Sequence, residues 1–231
     1  MQKWETHLHT IRGSGCGKVS ARKIAKIYSK ADYKGIIYTN HFNLACFENE
    51  YPCKKNNWVK RYVNEFKRLK SFCAVYGIKV LMGLELSLNG QEKRFRRPQY
   101  SEILLYGISP EQVLEYGLSL INQSQKSLFE LAEKKGWIIV QSHPFRGNVV
   151  PLDFSLLHGL EVFNGNPRHD NHNEKAEEMA ERFKLIKTSG SDFHQKNDIG
   201  CGMYFHDEVR IDTESDFAQA LRSHKGELIK R

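Results

Sequence analysis

The chain has 231 residues, 40% of them hydrophobic and 27% charged, a composition that excludes global disorder and fits one large α/β domain. No apolar run approaches the roughly 18 residues of a membrane span, and the N-terminus shows no secretory pattern, so we expect a cytoplasmic protein without a membrane partner. The formal net charge of +8 favours anionic partners, namely phosphorylated metabolites, nucleotides or nucleic acid.

Short β-rich runs alternate with longer helical patterns along the chain. In chain order, strands are predicted at 35–39, 79–85, 103–106, 138–140, 160–163 and 185–188. Apolar residues at helical spacing predict helices over 19–31, 58–76, 127–135 and 173–183. This alternation is typical of βα units, and no linker or internal repeat interrupts it. We therefore expect one continuous domain over residues 1–231.

Residues that commonly ligate metals fall directly after the β-like runs. They are His7, His9, His41, Glu85, His143, Asp192 and His194. Because the carboxyl ends of parallel strands meet on one face of a barrel or sheet, we expect these side chains to share one pocket. In an H-x-H pattern on a strand both imidazoles point to the same side, and we expect the same of Asp192 and His194. Each motif alone is typical of ordinary structure, but clustered buried imidazoles and carboxylates are costly without a cation, so together they predict a metal site.

Five short motifs carry these residues: H-L-H at 7–9, T-N-H at 39–41, G-L-E at 83–85, H-P at 143–144 and G-S-D-F-H at 190–194. In order and spacing they resemble the motifs of the PHP family, named for polymerase and histidinol phosphatase. The resemblance spans nearly the whole chain. It implies an α/β fold, a distorted (β/α)7 barrel of PHP type, with a phosphoesterase centre of two or three metals.

The resemblance also implies which side chains hold each ion. One ion would be held by His7, His9, Glu85 and Asp192. Glu85 would bridge to a second ion that His143 also binds. His41 and His194 would hold a third.

This chain departs from the family pattern shortly after the H-x-H, where the family usually supplies Asp or His. Residues 14–17 read S-G-C-G, which makes Cys16 the candidate ligand at that place. A thiolate would favour zinc or iron over manganese and magnesium, and the alternative is a free buried thiol. The five cysteines are odd in number and contain no C-x-x-C pair, so we expect free thiols.

Two further departures concern the charge and the number of ligands. Asn40 replaces the aspartate of the T-D-H motif, which keeps a hydrogen-bond acceptor but removes a charge beside the neighbouring histidine. No histidine lies between Glu85 and His143, where the family commonly has one. Glu102 is a candidate replacement, and weak binding of the second ion is the alternative. The expected cofactors are therefore two or three divalent ions of zinc, manganese or iron.

Two segments are candidates for phosphate binding. The loop at 164–173 leads from a predicted strand into a helix start, which would place Arg168 and His169 above the metal face against a substrate phosphate. The alternative is an ordinary loop in which Asn or Asp caps the helix. The basic run at 93–98 is suited to a phosphate backbone, but such a run is more often a solvated loop.

The reaction that two or three clustered cations would promote best is the attack of a metal-activated water on a phosphate ester. The sequence has neither a G-x-S-x-G elbow nor a P-loop, which argues against serine hydrolase and P-loop chemistry. We therefore expect a metal-dependent phosphoesterase acting on a small phosphorylated metabolite or nucleotide, with His194 or His169 protonating the leaving oxygen. The alternatives are a 3′–5′ exonuclease or oligonucleotide phosphodiesterase, and a binding module whose metal site has decayed.

Overall fold

The computed structural model describes residues 1–50, 54–88 and 100–231. These residues form a ten-stranded sheet and its surrounding helices. The strands are β1 (Gln2–Glu5), β2 (Tyr33–Tyr38), β3 (His41–Phe42), β4 (Lys79–Ser87), β5 (Glu102–Tyr106), β6 (Ile138–Gln141), β7 (Gly159–Asn164), β8 (Ile186–Gly190), β9 (Gly202–Phe205) and β10 (Gly226–Ile229). The α-helices are α1 (Ala21–Lys30), α2 (Leu44–Glu50), α3 (Trp58–Ala74), α4 (Pro110–Tyr116), α5 (Gln125–Lys135), α6 (Asn173–Arg182) and α7 (Glu214–Arg222).

The sheet runs in the order β10-β9-β1-β2-β4-β5-β6-β7-β8, with β3 beside β4. A parallel bridge between Leu8 and Phe193 joins the segments that follow β1 and β8, so the sheet is nearly closed like a barrel. The predicted α/β barrel fold is confirmed, and each of the six predicted strands is present. That residues 1–231 form a single domain stays a prediction.

Strand direction departs from the expected run of βα units in the middle of the sheet. Strand β5 is antiparallel to both β4 and β6, and β9 is antiparallel to both β1 and β10. The remaining pairs, such as β1 with β2 and β7 with β8, are parallel. Apolar periodicity indicates that a segment is a strand but contains no information about its direction. The barrel is therefore distorted.

The predicted helices form because their apolar faces pack on the sheet and on each other. Helix α1 buries Ile24, Ala25 and Tyr28, at the spacing of one helical face. Helix α3 buries Tyr62 and Phe66 in the same way and packs against α1. The four described cysteines are free thiols, as predicted, and Cys53 lies outside the described residues. None of the described helices has the length and apolar character needed to cross a bilayer.

The motif residues lie at or near the ends of the barrel strands, with His41 in β3 and Glu85 near the end of β4. Strand β4 is almost entirely buried and brings Glu85 to this edge. Strand β8 ends at Gly190, and Asp192 has a φ of +47°, so Asp192 and His194 reach the same side through a turn and not through an extended strand. The chain turns sharply there, in the left-handed region, and the turn directs both side chains into the same cluster.

Candidate metal centre

Four side chains meet at the centre of this edge, the set implied for the first ion. His7 Nε2 lies 3.1 Å from His9 Nε2 and 3.1 Å from Glu85 Oε1. Asp192 Oδ1 lies 3.3 Å from His9 Nε2 and 3.5 Å from His7 Nε2. All four residues are buried. Two ring nitrogens and two carboxylates therefore point into one small volume.

Beside this group, Glu85 also faces His143 and His41. His143 Nε2 lies 3.3 Å from Glu85 Oε1 and 3.6 Å from Glu102 Oε2. His41 Nδ1 lies 2.7 Å from Glu85 Oε2 and 3.3 Å from Glu102 Oε1. The Glu102 carboxylate thus lies among the candidate ligands, where it could replace the histidine that the family pattern leads one to expect.

A third group combines His9, Cys16, His41 and His194, whose possible ligand atoms all lie within 4.8 Å of one another. Burial raises the pKa of the Cys16 thiol, but hydrogen bonds to His194 and His41 outweigh burial and bring the pKa to about 7. Cys16 lines the cavity above the cluster and is partly exposed, and its role as a ligand stays a prediction. A thiolate with three imidazoles suits a soft divalent ion.

The buried polar atoms of the cluster fit a bound cation. Within residues 1–50, 54–88 and 100–231, His143 Nδ1 has no hydrogen-bond partner, and the 2.7 Å contact of His41 Nδ1 with Glu85 Oε2 lacks hydrogen-bond geometry. Unpaired buried polar atoms are costly, and a cation among the imidazoles and carboxylates would compensate them. The donor set of imidazole, carboxylate and thiolate fits divalent metal ions.

The electrostatics of the cluster keep the carboxylates ionised. Burial raises the pKa of Glu85, but the charges of His7 and His41 outweigh it and hold that pKa well below its usual range. Asp192 behaves likewise, with His7 and Arg146 as the opposing charges. Burial lowers the pKa of His7, yet the carboxylates around it raise that pKa well above its ordinary value. Metal binding would therefore displace protons from the imidazoles.

The pKa of His9 is shifted in the opposite direction from that of His7. Burial and the charges of His194 and His41 lower its pKa well below the ordinary value, so its ring is neutral, the form that ligates metals. Ser14 Oγ lies 3.0 Å from His9 Nδ1 and accepts a hydrogen bond of 2.9 Å from the backbone N–H of His41. Ser14 therefore orients two candidate ligands, and no pattern in the sequence indicates this role.

Two charged residues that sequence reasoning missed support the candidate ligands. Glu161 Oε1 lies 2.9 Å from His7 Nδ1, and Glu161 Oε2 accepts a hydrogen bond of 3.1 Å from the His143 backbone N–H. Arg146 Nη2 donates to Asp192 Oδ2 at 2.6 Å. A carboxylate inside the apolar 160–163 strand and an arginine three residues after His143 were the available signals.

Glu5 joins two segments that are far apart in the sequence, the one that follows β1 and the one that follows β8. Its Oε1 accepts hydrogen bonds of 3.0 Å from the backbone N–H groups of Thr6, His7 and Ser191. Its Oε2 accepts one of 2.7 Å from the Tyr28 hydroxyl. Glu5 is completely buried, so this single carboxylate fixes the segment carrying His7 against the segment that follows β8.

The Asn40 side chain lies beside the loop that follows the H-x-H motif. Its Oδ1 accepts a hydrogen bond of 2.7 Å from the Thr10 backbone N–H, and its Nδ2 donates to Thr10 Oγ1 and the Tyr38 hydroxyl. Asn40 thus keeps the expected hydrogen-bond acceptor, but within the described chain its hydrogen bonds go to Thr10 and Tyr38. Asn40 therefore holds the loop that follows the H-x-H motif.

Most of the candidate ligands, though not His7 or His9, line a cavity of about 320 Å³, whose walls also include Arg168, His169 and Gln195. The structure thus brings Arg168 and His169 to the metal face. Helix α6 has His172 as its N-cap, at a φ of +48°, with no capping bond from the side chain, so the alternative that Asn or Asp caps this helix is wrong. The basic run at 93–98 lies outside the described residues.

One family model and two solved structures are similar to parts or all of this chain. Residues 170–225 match a family model described as PHP-associated (PHP_C). No curated protein matches the sequence. A solved structure from Bifidobacterium adolescentis, named by inference as a metal-dependent phosphoesterase, is 15% identical over 84% of this chain and 88% of its own, with a TM-score of 0.48.

A second solved structure has the same fold as this chain. It is a two-domain protein from Bacteroides vulgatus containing a predicted PHP-like metal-dependent phosphoesterase, with a TM-score of 0.63 and 16% identity. The likeness covers 100% of this chain but 65% of that protein, so the chain spans less than two thirds of its length. The matched segment resembles a PHP-associated model, and the solved structure shows that this chain has a PHP-like fold.

Proposed function

We propose that the protein is a metal-dependent phosphoesterase that hydrolyses a phosphate ester of a small metabolite or a nucleotide. The observation that carries this proposal is the overlap of three ligand groups in one buried cluster under a cavity. Any two of these groups have one residue in common, which is His9, His41 or Glu85. The proposed ligands of two or three divalent ions are His7, His9, Cys16, His41, Glu85, Glu102, His143, Asp192 and His194. Zinc, manganese and iron are the proposed metals.

When bound, divalent ions would supply a water of lowered pKa and offset the charge of the phosphoryl oxygens. The chain's own residues would place the ester over the cluster. Arg168 lines the cavity and can donate N–H groups to phosphate oxygens, which a guanidinium does in a planar fork. Gln195 and Asn166 add polar groups to the same walls. An anionic ester therefore fits this cavity in charge and in hydrogen bonding.

Proton transfer to the leaving oxygen is assigned to His169. His194 belongs to the group with Cys16 and His9, and a ring that ligates a metal cannot also serve as the acid. His169 lies in the cavity wall, outside the three ligand groups. Burial and the charge of Arg146 lower its pKa, and a bound phosphate dianion would oppose that effect and favour the protonated, donating ring.

The test is phosphate release from a panel of phosphate monoesters and diesters, with protein loaded in turn with zinc, manganese and iron. We expect release from a small ester that stops on chelation and returns when one of the metals is added. Hydrolysis only of oligonucleotides, falling steeply with salt, would favour the exonuclease or oligonucleotide phosphodiesterase alternative. Protein purified without chelator that contains almost no metal would favour the decayed binding module.

A further inference from the structure

Arg168 is held at the cavity wall by a bidentate ion pair with Asp198. Arg168 Nη1 lies 2.6 Å from Asp198 Oδ1, and Arg168 Nη2 lies 2.8 Å from Asp198 Oδ2. The Asp198 side chain is 2% exposed, whereas that of Arg168 is 35% exposed. A guanidinium has five N–H donors, so this pairing occupies one edge of the fork and leaves three donors for another acceptor.

The same carboxylate also holds the segment that carries a proposed metal ligand. Asp198 Oδ2 accepts hydrogen bonds from the backbone N–H of His194, at 2.9 Å, and from that of Gln195, at 2.7 Å. Asp198 is the last residue of a short 3-10 turn, Lys196–Asp198. One buried side chain thus links the arginine of the 164–173 loop to the backbone beside the metal cluster.

We propose that Asp198 is a positioning residue that presents Arg168 to the substrate phosphate at a fixed place relative to the metal cluster. This inference rests on the proposed function, since it assigns how that site recognises its phosphate. A long arginine side chain loses considerable rotamer freedom when it binds a ligand, and an ion pair formed beforehand removes part of that loss. Arg168 can then bind phosphate with its free N–H groups while Asp198 retains the other edge.

The test uses the affinity of metal-loaded protein for inorganic phosphate, measured by titration calorimetry, together with metal content. We expect Asp198→Asn to weaken phosphate binding about tenfold, because the amide cannot hold the guanidinium by two acceptor oxygens. Arg168→Ala should weaken it by about as much, and the double variant should show little further loss, since the two residues act as one unit. Metal content should remain that of the wild type.

Asp153→Asn is the matched control. Asp153 accepts a hydrogen bond from the Ser155 backbone N–H at the start of another 3-10 turn, and in the described chain it holds no arginine. This control should keep wild-type phosphate affinity. Unchanged affinity in Asp198→Asn, or losses that add in the double variant, would overturn the proposal. So would wild-type protein that binds no phosphate.

A second measurement does not depend on folding of the Asp198 variant. In Arg168→Ala, the Asp198 carboxylate remains available, and added guanidinium ion should restore phosphate affinity where equimolar tetramethylammonium does not. Absence of this difference would contradict the role of Asp198. Phosphate binding requires no turnover, so a wild-type protein that binds phosphate but hydrolyses no ester would refute the proposed function and leave this inference standing.

Discussion

The Glu161 carboxylate lies 2.9 Å from Nδ1 of His7, and both side chains are completely buried. A carboxylate can only accept, so Nδ1 carries a proton, and Nε2 would present a lone pair to a metal once its own proton is displaced. The Nε2 atom lies 3.1 Å from His9 Nε2 and 3.1 Å from Glu85 Oε1. Glu161 therefore fixes both the tautomer and the direction of a proposed metal ligand.

Glu161→Gln should lower zinc affinity by about 10–100-fold, because an amide can turn its N–H₂ toward His7 and no longer selects the ligating tautomer. Competition titration against a chelating dye measures this loss. Glu133→Gln is the control, since Glu133 also lies within hydrogen-bond distance of a histidine, His158, at 2.7 Å, but outside the cluster. Equal zinc affinity in wild type and Glu161→Gln would contradict the role of Glu161.

His9→Ala should abolish hydrolysis while leaving the fold in place. His9 belongs to two of the three ligand groups, and losing a ligand should reduce kcat by at least about a hundredfold. Because His9 lies beyond the end of β1, far-UV circular dichroism should change little. The exposed His206→Ala serves as control and should retain turnover. Turnover near that of wild type in His9→Ala would refute its role as a ligand.

The alternation of strands and helices and the convergence of the motif residues could be predicted from short-range patterns, while the barrel fold was implied by the resemblance of the motifs to those of the PHP family. Strand ends are visible in apolar periodicity, and side chains at the carboxyl ends of parallel strands meet on one face of the sheet. His7 and Asp192 are 185 positions apart, yet this rule brings them within 3.5 Å. Glu102 was only a candidate, because its approach to His41 depends on β5 running antiparallel.

The supporting contacts could not be predicted in the same way. Glu161 reaches His7 across 154 positions of sequence, and Ser191 reaches Glu5 across 186. These contacts depend on which strands lie side by side and on the residue that faces inward at each point. A buried charge within an apolar strand indicates that some partner exists, but it does not identify the partner.

Glu5→Gln should destabilise the metal-free protein by about 2–4 kcal/mol, because the amide nitrogen must face one of the N–H or O–H donors that the carboxylate now accepts from. Urea denaturation followed by circular dichroism measures this free energy of unfolding. Glu214→Gln is the control, since Glu214 accepts a backbone hydrogen bond from Met82, outside the segments that Glu5 joins, and this change should cost about 1 kcal/mol or less. Equal losses in the two variants would contradict the joining role of Glu5.

Cys16→Ser should change which metal the protein prefers. A neutral hydroxyl cannot match a thiolate as a ligand for a soft ion, so zinc affinity should fall by about tenfold or more while manganese affinity changes little. Competition titrations with each metal measure the two affinities. Cobalt provides a second observation, because a cobalt–thiolate bond absorbs in the near ultraviolet, and this absorption should be present in the wild type and absent in Cys16→Ser.

Cys46→Ser is the matched control for that comparison. Cys46 Sγ donates to the Gly13 carbonyl oxygen at 3.4 Å, so it touches the same loop as Cys16 without joining any of the three ligand groups. The control should keep both the zinc affinity and the cobalt absorption of the wild type. If Cys16→Ser lost zinc and manganese affinity equally, or kept the cobalt band, the thiol would not be a ligand, and the group with His9, His41 and His194 would have to bind its ion through imidazoles alone.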